Sequence, residues 1–393
     1  MPHGNFSRHW GSTRATIGKM MDMINRKMFR AATFVIGLAL AGNLAAAPAK
    51  CEMVRIATWP VRIVRNALIV DGAINGKQVG VMLDTGAGTT MILRSAATQL
   101  GLARQPAFGY RAFGIGGETA VEVTTIDEFK IGEETRKGWQ MYVAGVRDLG
   151  GDVGVILGDD FLHRVDLEFD LAHNAVRLFQ SNDCDGVSLA YWAKETPSVV
   201  DIAPVDETRP QIVVTVQVNG RNVKALLDSG ASFSVLDKWE ASQAGITPET
   251  PGVVPLVSGG GLGRQTVDAW LGPIRAFTIG DEMIQDTTLQ FADLYKQATY
   301  LPYGSRIPRK VDELQPMLLG VDFLRSHRVL VAHSQRKIYF TYVGGPVFQV
   351  AKGLEPEPAK APEPQTTKAA EPQRAKPSLE SRYNPPPQFD YKP

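Results

Sequence analysis

Asp84 stands in the run Leu-Asp-Thr-Gly-Ala, and Asp228 stands in Leu-Asp-Ser-Gly-Ala 144 residues further on. A carboxyl group can give or take a proton. Two of them held close together cannot both ionise cheaply, so one keeps its proton over a range of pH. A pair of that kind can work as acid and base at once. A single Asp-Thr-Gly also fits an ordinary Asx-type turn, and for one copy alone that reading stands. The case for chemistry rests on the repetition.

The repeat extends well beyond the aspartates. Residues 75–102 read NGKQVGVMLDTGAGTTMILRSAATQLGL and residues 219–246 read NGRNVKALLDSGASFSVLDKWEASQAGI; they align without a gap, and 10 of the 28 positions are identical. Each copy opens on Asn-Gly, which predicts a type I′ hairpin turn because both central residues need positive φ. A mostly apolar run follows, Val79 to Leu83 and Val223 to Leu227, suited to a buried strand. After the Asp-Thr/Ser-Gly-Ala come a short apolar stretch and a brief helical segment ending at Gly101 or Gly245. A second element recurs downstream: Ile156-Leu157-Gly158 and Leu318-Leu319-Gly320, each followed one residue later by Asp-Phe-Leu. Between the two elements the chain alternates apolar and polar residues and is punctuated by Gly, the pattern of strands and hairpins.

These patterns predict a mainly β protein with two matching lobes, residues 50–185 and 209–345, joined by a linker at 186–208. Asp160 and Asp322 are expected to cap the short helix after Leu-Gly. Trp59, Trp139, Trp192, Trp239 and Trp270 are expected in the core or between lobes.

With these motifs set out, each half resembles a lobe of the retropepsin-like aspartic proteases: apolar-apolar-Asp-Thr/Ser-Gly-Ala, a flap hairpin, then apolar-apolar-Gly. The resemblance covers most of residues 60–345. It implies two retropepsin/pepsin-like β-barrel lobes related by a pseudo-twofold, each giving one aspartate to a shared pair. By that resemblance Asp84 and Asp228 are the catalytic pair of an endopeptidase, which activates water for attack on a peptide carbonyl. Thr85 and Ser229 brace the two loops across the lobe interface, and Gly86 and Gly230 let the backbone turn close to the carboxylates. The flap over the peptide is expected at Gly114, Ile115, Gly116 and Gly117, with a counterpart at Gly259, Gly260 and Gly261. Ala87 and Ala231 follow the two glycines. Lacking a hydroxyl to bond the charged form, they point to a pH optimum less acid than pepsin's. No flap tyrosine of the pepsin kind is present. The rival reading is a catalytically inactive peptide-binding or scaffolding protein of the same fold.

Other chemistries lack their residues. The four histidines near the lobe ends, His163, His173, His327 and His333, show no zinc-binding spacing, so no metal and no cofactor is expected. There is no Gly-x-Ser-x-Gly elbow, and the glycine-rich GIGG and GGGLG lack the strand-to-helix setting of a phosphate loop.

The ends of the chain read differently. Arg26, Lys27 and Arg30 precede an apolar small-residue run, Ala31 to Ala47, and Ala47-Pro48-Ala49 offers a cleavage site. Residues 1–49 are therefore expected to be an extension and signal peptide, making the mature chain exported, periplasmic or secreted. Contact with a membrane is expected only if that segment stays uncleaved. Residues 346–393, rich in Pro, Ala, Glu and Lys, are expected to be a disordered tail. Cys51 and Cys184 are either a disulfide across the first lobe or two buried thiols. The whole chain carries 42 Lys+Arg against 41 Asp+Glu; residues 1–49 hold six Lys+Arg and one Asp, so the rest is about −4. That balance argues against nucleic-acid partners. The expected partner is a peptide or protein substrate, bound by a monomer whose lobes pair within one chain.

Overall fold

The computed structural model describes residues 50–150, 152–204, 211–296, 299–300, 309–310 and 314–348. The expected signal segment at 1–49, the tail beyond 348 and linker residues 205–208 lie outside the described residues.

The first lobe is an eight-stranded sheet. In spatial order its strands are Arg62–Val64, Ala67–Ile74, Lys77–Leu83, Val153–Leu157, Met91–Leu93, Glu134–Ala144, Gly117–Ile131 and Gln105–Gly114. Ala67–Ile74 also pairs with Gly117–Ile131, which curls the sheet towards a barrel. The second lobe repeats the plan with seven strands: Val213–Val218, Arg221–Leu227, Met317–Leu319, Val235–Asp237, Glu282–Ala292, Val267–Ile279 and Val254–Gly259. Here Val213–Val218 closes onto Val267–Ile279. The apolar runs explain the centre of each lobe. Val153–Leu157 is buried at every position, as befits a strand covered on both faces. The Asn-Gly turns form as expected, with φ of 49° and 76° at Asn75 and Gly76, and 52° and 82° at Asn219 and Gly220. Each Asn side chain also accepts from two amides of the strand that closes its barrel, Asp127 and Glu128 or Arg275 and Ala276.

A third sheet joins the lobes. Its six strands run Glu52–Pro60, Ala175–Asn182, Asp166–Asp170, His327–Ala332, Lys337–Tyr342 and Ser198–Asp201. At its middle, Leu167 of the first half stands opposite Val331 of the second and Phe169 opposite Val329. On the other face of the same strands Asp166, Glu168 and Asp170 are buried, and each is met by charged or polar partners. Arg177 bonds Glu168 and Asp170, Arg328 and Tyr191 bond Glu168, and Ser334 bonds Asp166.

Three expectations change. The linking segment is not a plain tether: Ser198–Asp201 is a strand of the shared sheet, and Leu189 and Ala190 are buried. The expected tail boundary moves, because Val347 and Phe348 are buried and Phe348 meets Phe277 edge-on, 4.9 Å between ring centres. Trp239 is neither core nor interface; it sits on the short helix Lys238–Gln243 with 61% of its surface exposed. Cys51 and Cys184 are joined as a disulfide, tying the edge strand Glu52–Pro60 to the end of its neighbour.

Candidate active site

Each Asp-Thr/Ser-Gly-Ala leaves the end of a buried strand that runs parallel to the Leu-Gly strand of its lobe. The backbone pairing carries one residue further, Asp84 N to Leu157 O at 3.0 Å and Asp228 N to Leu319 O at 2.9 Å. The chain then turns sharply enough to aim two amides at its own carboxyl. Gly86 N and Ala87 N donate to Asp84 Oδ1 at 3.0 and 2.8 Å; Gly230 N and Ala231 N donate to Asp228 Oδ1 at 2.9 and 3.1 Å.

The two turns pack against each other crosswise. A methyl group on Gly86 would stand 2.5 Å from Cγ of Asp228, and one on Gly230 would overlap the carboxyl carbon of Asp84. Glycine is therefore required by close approach at both places. Beneath them Thr85 and Ser229, 1% and 0% exposed, make four hydrogen bonds across the lobe boundary, two of them with each other. Thr85 N donates to Ser229 Oγ at 3.0 Å and Ser229 N to Thr85 Oγ1 at 3.0 Å. The two hydroxyls donate onward to Leu227 O at 2.6 Å and Leu83 O at 2.9 Å.

This geometry couples the two acids. Burial first, and then the neighbouring Asp228 carboxylate, push Asp84 well above the ordinary aspartate value, against the pull of the Ala87 and Gly86 amides. Burial also raises Asp228, offset by its own two amides and by the neighbouring Asp84 carboxyl. Two buried carboxyls set against each other cannot both ionise cheaply, so the pair holds a proton above the usual carboxylate range and titrates as a unit.

A bracket behind each turn was not foreseen in this form. Thr90 N and Oγ1 donate to Asp160 Oδ1 at 2.8 and 2.6 Å, and Gly158 N donates to Thr90 Oγ1. Ser234, Asp322 and Gly320 repeat it at 2.9 and 2.6 Å. Asp160 therefore ties the turn to the Leu-Gly element rather than capping its helix, whereas Asp322 does both, since its Oδ1 also accepts from Phe323 N in the first turn at 2.9 Å; the N-cap positions themselves are Gly158 and Gly320 and have no side-chain bond. The signal was present, since Thr/Ser and Asp recur at the matching places of both halves. Asn66 was also missed. At φ 60° it reaches from the first lobe to Ser232 O, 3.1 Å, and accepts from Arg325 at 2.7 Å.

The two flap tips meet. Gly114 pairs with Gly117 around a two-residue turn, Ile115-Gly116. The second hairpin, Val254–Gly259 with Val267–Ile279, carries the longer tip 260–266. Gly263 N donates to Ile115 O at 3.1 Å and Gln265 N to Gly116 O at 3.0 Å. Ile115 packs with Ala231 and Tyr295 in an apolar cluster of the second lobe. The expected flap residues thus come together, joined by Leu262, Gly263, Arg264 and Gln265. A groove of about 470 Å³ lined by Trp59, Trp139 and Phe161 includes neither aspartate.

A family model described as aspartyl protease matches residues 70–161 and, a second time, residues 214–323, together just over half of the chain. The chain belongs to the aspartyl protease family. Its two matches coincide with the two lobes, each spanning one Asp-Thr/Ser-Gly-Ala and one Leu-Gly element, so this family member carries the fold in tandem. Comparison with the curated proteins gives no match.

Proposed function

We propose that the protein is an aspartic endopeptidase in which Asp84 and Asp228 act together on a peptide held between the lobes and under the flap tips. The observation that carries this reading is the crossed packing of the two turns, which sets each carboxyl against the opposite glycine and lets the pair share a proton. With the shared proton on Asp84, Asp228 takes one from a water molecule as the water oxygen attacks the scissile carbonyl carbon. Asp84 gives its proton to the developing oxyanion. When the tetrahedral intermediate collapses, the C–N bond breaks, the proton held by Asp228 passes to the leaving nitrogen, and one hydroxyl of the intermediate returns its proton to Asp84 as the carbonyl re-forms, restoring the shared-proton pair. The buried brace of Thr85 and Ser229 keeps both carboxyls in register, and the joined flaps exclude bulk water. Export is part of the same proposal, supported by the Cys51–Cys184 disulfide, a bond that persists in oxidising compartments.

The test is hydrolysis of a denatured protein by the full chain. Asp84→Asn and Asp228→Asn are each expected to lower kcat/KM by at least about 100-fold, and a statine-type transition-state analogue should block the unmodified chain. The pH–rate profile should peak above about pH 3 and decline on its alkaline side as the pair gives up its remaining proton. Full activity in either variant, or a peak below about pH 3, would sink the assignment. Retained peptide binding with no hydrolysis by the unmodified chain would instead favour the scaffold reading.

A further inference from the structure

The lobes are unequal where the first reaches the flap of the second. The wall strand Glu134–Ala144 of the first lobe corresponds to Glu282–Ala292 of the second: Met91 stands opposite Tyr142 as Val235 stands opposite Gln290. Three residues beyond each strand the first lobe has Arg147 and the second has Tyr295. Tyr295 stays within its own lobe and donates its hydroxyl to Gln315 O at 2.7 Å. Arg147 reaches across to the other lobe's flap. Its Nε donates to Gly263 O at 2.9 Å and its terminal Nη2 to Arg264 O at 2.8 Å. Beside it, Val146 N donates to Leu262 O at 3.3 Å. Three successive carbonyls of one flap tip are thus held by one loop of the opposite lobe.

The sequence of the flap fits this grip. Gly260 lies under the guanidinium, and a methyl group there would stand 2.6 Å from Cζ of Arg147. A guanidinium offers its donors as a rigid planar fork, so two carbonyls bonded to it are fixed in direction as well as distance. The tip at 260–266 has no regular hydrogen-bonded structure of its own, and its position depends on what it touches.

We propose that Arg147 is a positioning residue that latches the second lobe's flap over the aspartate pair. A peptide enters when the fork lets go, and the fork re-forms to hold the peptide beneath the flap. The role in turnover rests on the endopeptidase reading, whereas the latch itself does not, and the two can be tested apart.

Hydrogen exchange on the full chain carrying Asp84→Asn reads the latch without turnover, because the amides of Gly263 and Gln265 are bonded to the first flap. Adding Arg147→Ala should speed exchange across residues 259–267 by roughly tenfold or more, with the strand Glu134–Ala144 unchanged. Gly260→Ala should act alike, since it displaces only the far end of a flexible side chain and leaves the barrel intact. Arg147→Lys, a point charge without the fork, should restore part of the protection. In the chain that keeps Asp84, loosening the latch should change KM and kcat together, at an unaltered Tm. Unchanged exchange at 259–267 in both Arg147→Ala and Gly260→Ala would overturn the latch, whatever the hydrolysis assay gives. A rise spread evenly over the first lobe would overturn it too, by marking Arg147 as general support. Absent hydrolysis in the unmodified chain would remove the endopeptidase reading and leave the exchange result to decide the latch.

Discussion

Each carboxyl of the central pair is shaped by the opposite lobe as much as by its own, because the glycine of one turn is the wall behind the aspartate of the other. These residues were legible in the sequence, since type, order and spacing recur together in both halves. Asp159 was not. It is 1% exposed, neither carboxyl oxygen has a hydrogen-bond partner, and burial followed by the charge of Asp160 raises its pKa to about 7. Its backbone N–H donates to Ala87 O at 2.7 Å, directly behind the first turn; the second lobe has Val321 at this place, bonded to Ala231 O. Below about pH 4 the folded and unfolded chains both hold this proton and nothing is lost. As pH rises the unfolded chain releases it first, so stability falls until the folded group ionises near 7, and stays lower above that. At about 1.4 kcal/mol per unit the whole span is on the order of 4 kcal/mol. Asp159→Val, which copies the second lobe, is therefore expected to raise Tm at about pH 8 by roughly 5 °C or more and far less at about pH 4. Equal gains at both pH values would show that the charge is not the cause.

At the scale of elements, the same local plan is built twice and then locked face to face. Parallel pairing sets each aspartate at a strand end, the Asn-Gly turn fixes the register leading to it, and the Thr/Ser–Asp bracket fixes the exit. The lock between lobes is the Thr85–Ser229 exchange. Ser229→Ala leaves Thr85 N and Leu83 O buried without their partner, at a cost of about 1–3 kcal/mol for each. Denaturant unfolding should show that loss as a lower midpoint, and kcat should fall with it as the two turns slip. A variant with unchanged midpoint and kcat would mean the brace is redundant. Hairpins and strands of this kind were readable because period-two patterning and turn residues act over a few neighbours. The contacts of Asn66 and Arg147 were not, because a polar residue in a short loop carries no mark of the distant carbonyl it will meet.

Across the whole molecule, the shared six-stranded sheet was the least legible part. The run Asp-Leu-Glu-Phe-Asp at 166–170 alternates in a way that suggests one wet face, yet Asp166, Glu168 and Asp170 are 2%, 0% and 2% exposed. What buries them is supplied from elsewhere in the chain: Arg177, Tyr191, Arg328 and Ser334. The disulfide acts at this scale as well, since it closes a loop of 133 residues around the first lobe. Restricting so long a loop mainly lowers the entropy of the unfolded chain, so Cys51→Ser with Cys184→Ser should cost about 2–5 kcal/mol of stability. The hydrolysis rate of the folded fraction should not change, and a rate that collapsed with the bond would give the cysteines a role at the aspartates instead. The pairing of Leu167 with Val331 has a consequence of another kind. Two copies can be read in the letters, but neither finishes its own sheet. A half made alone would end in a bare strand at Asp166–Asp170 or His327–Ala332, its amides and carbonyls open to any passing chain. The duplication is divisible on paper and indivisible in the fold.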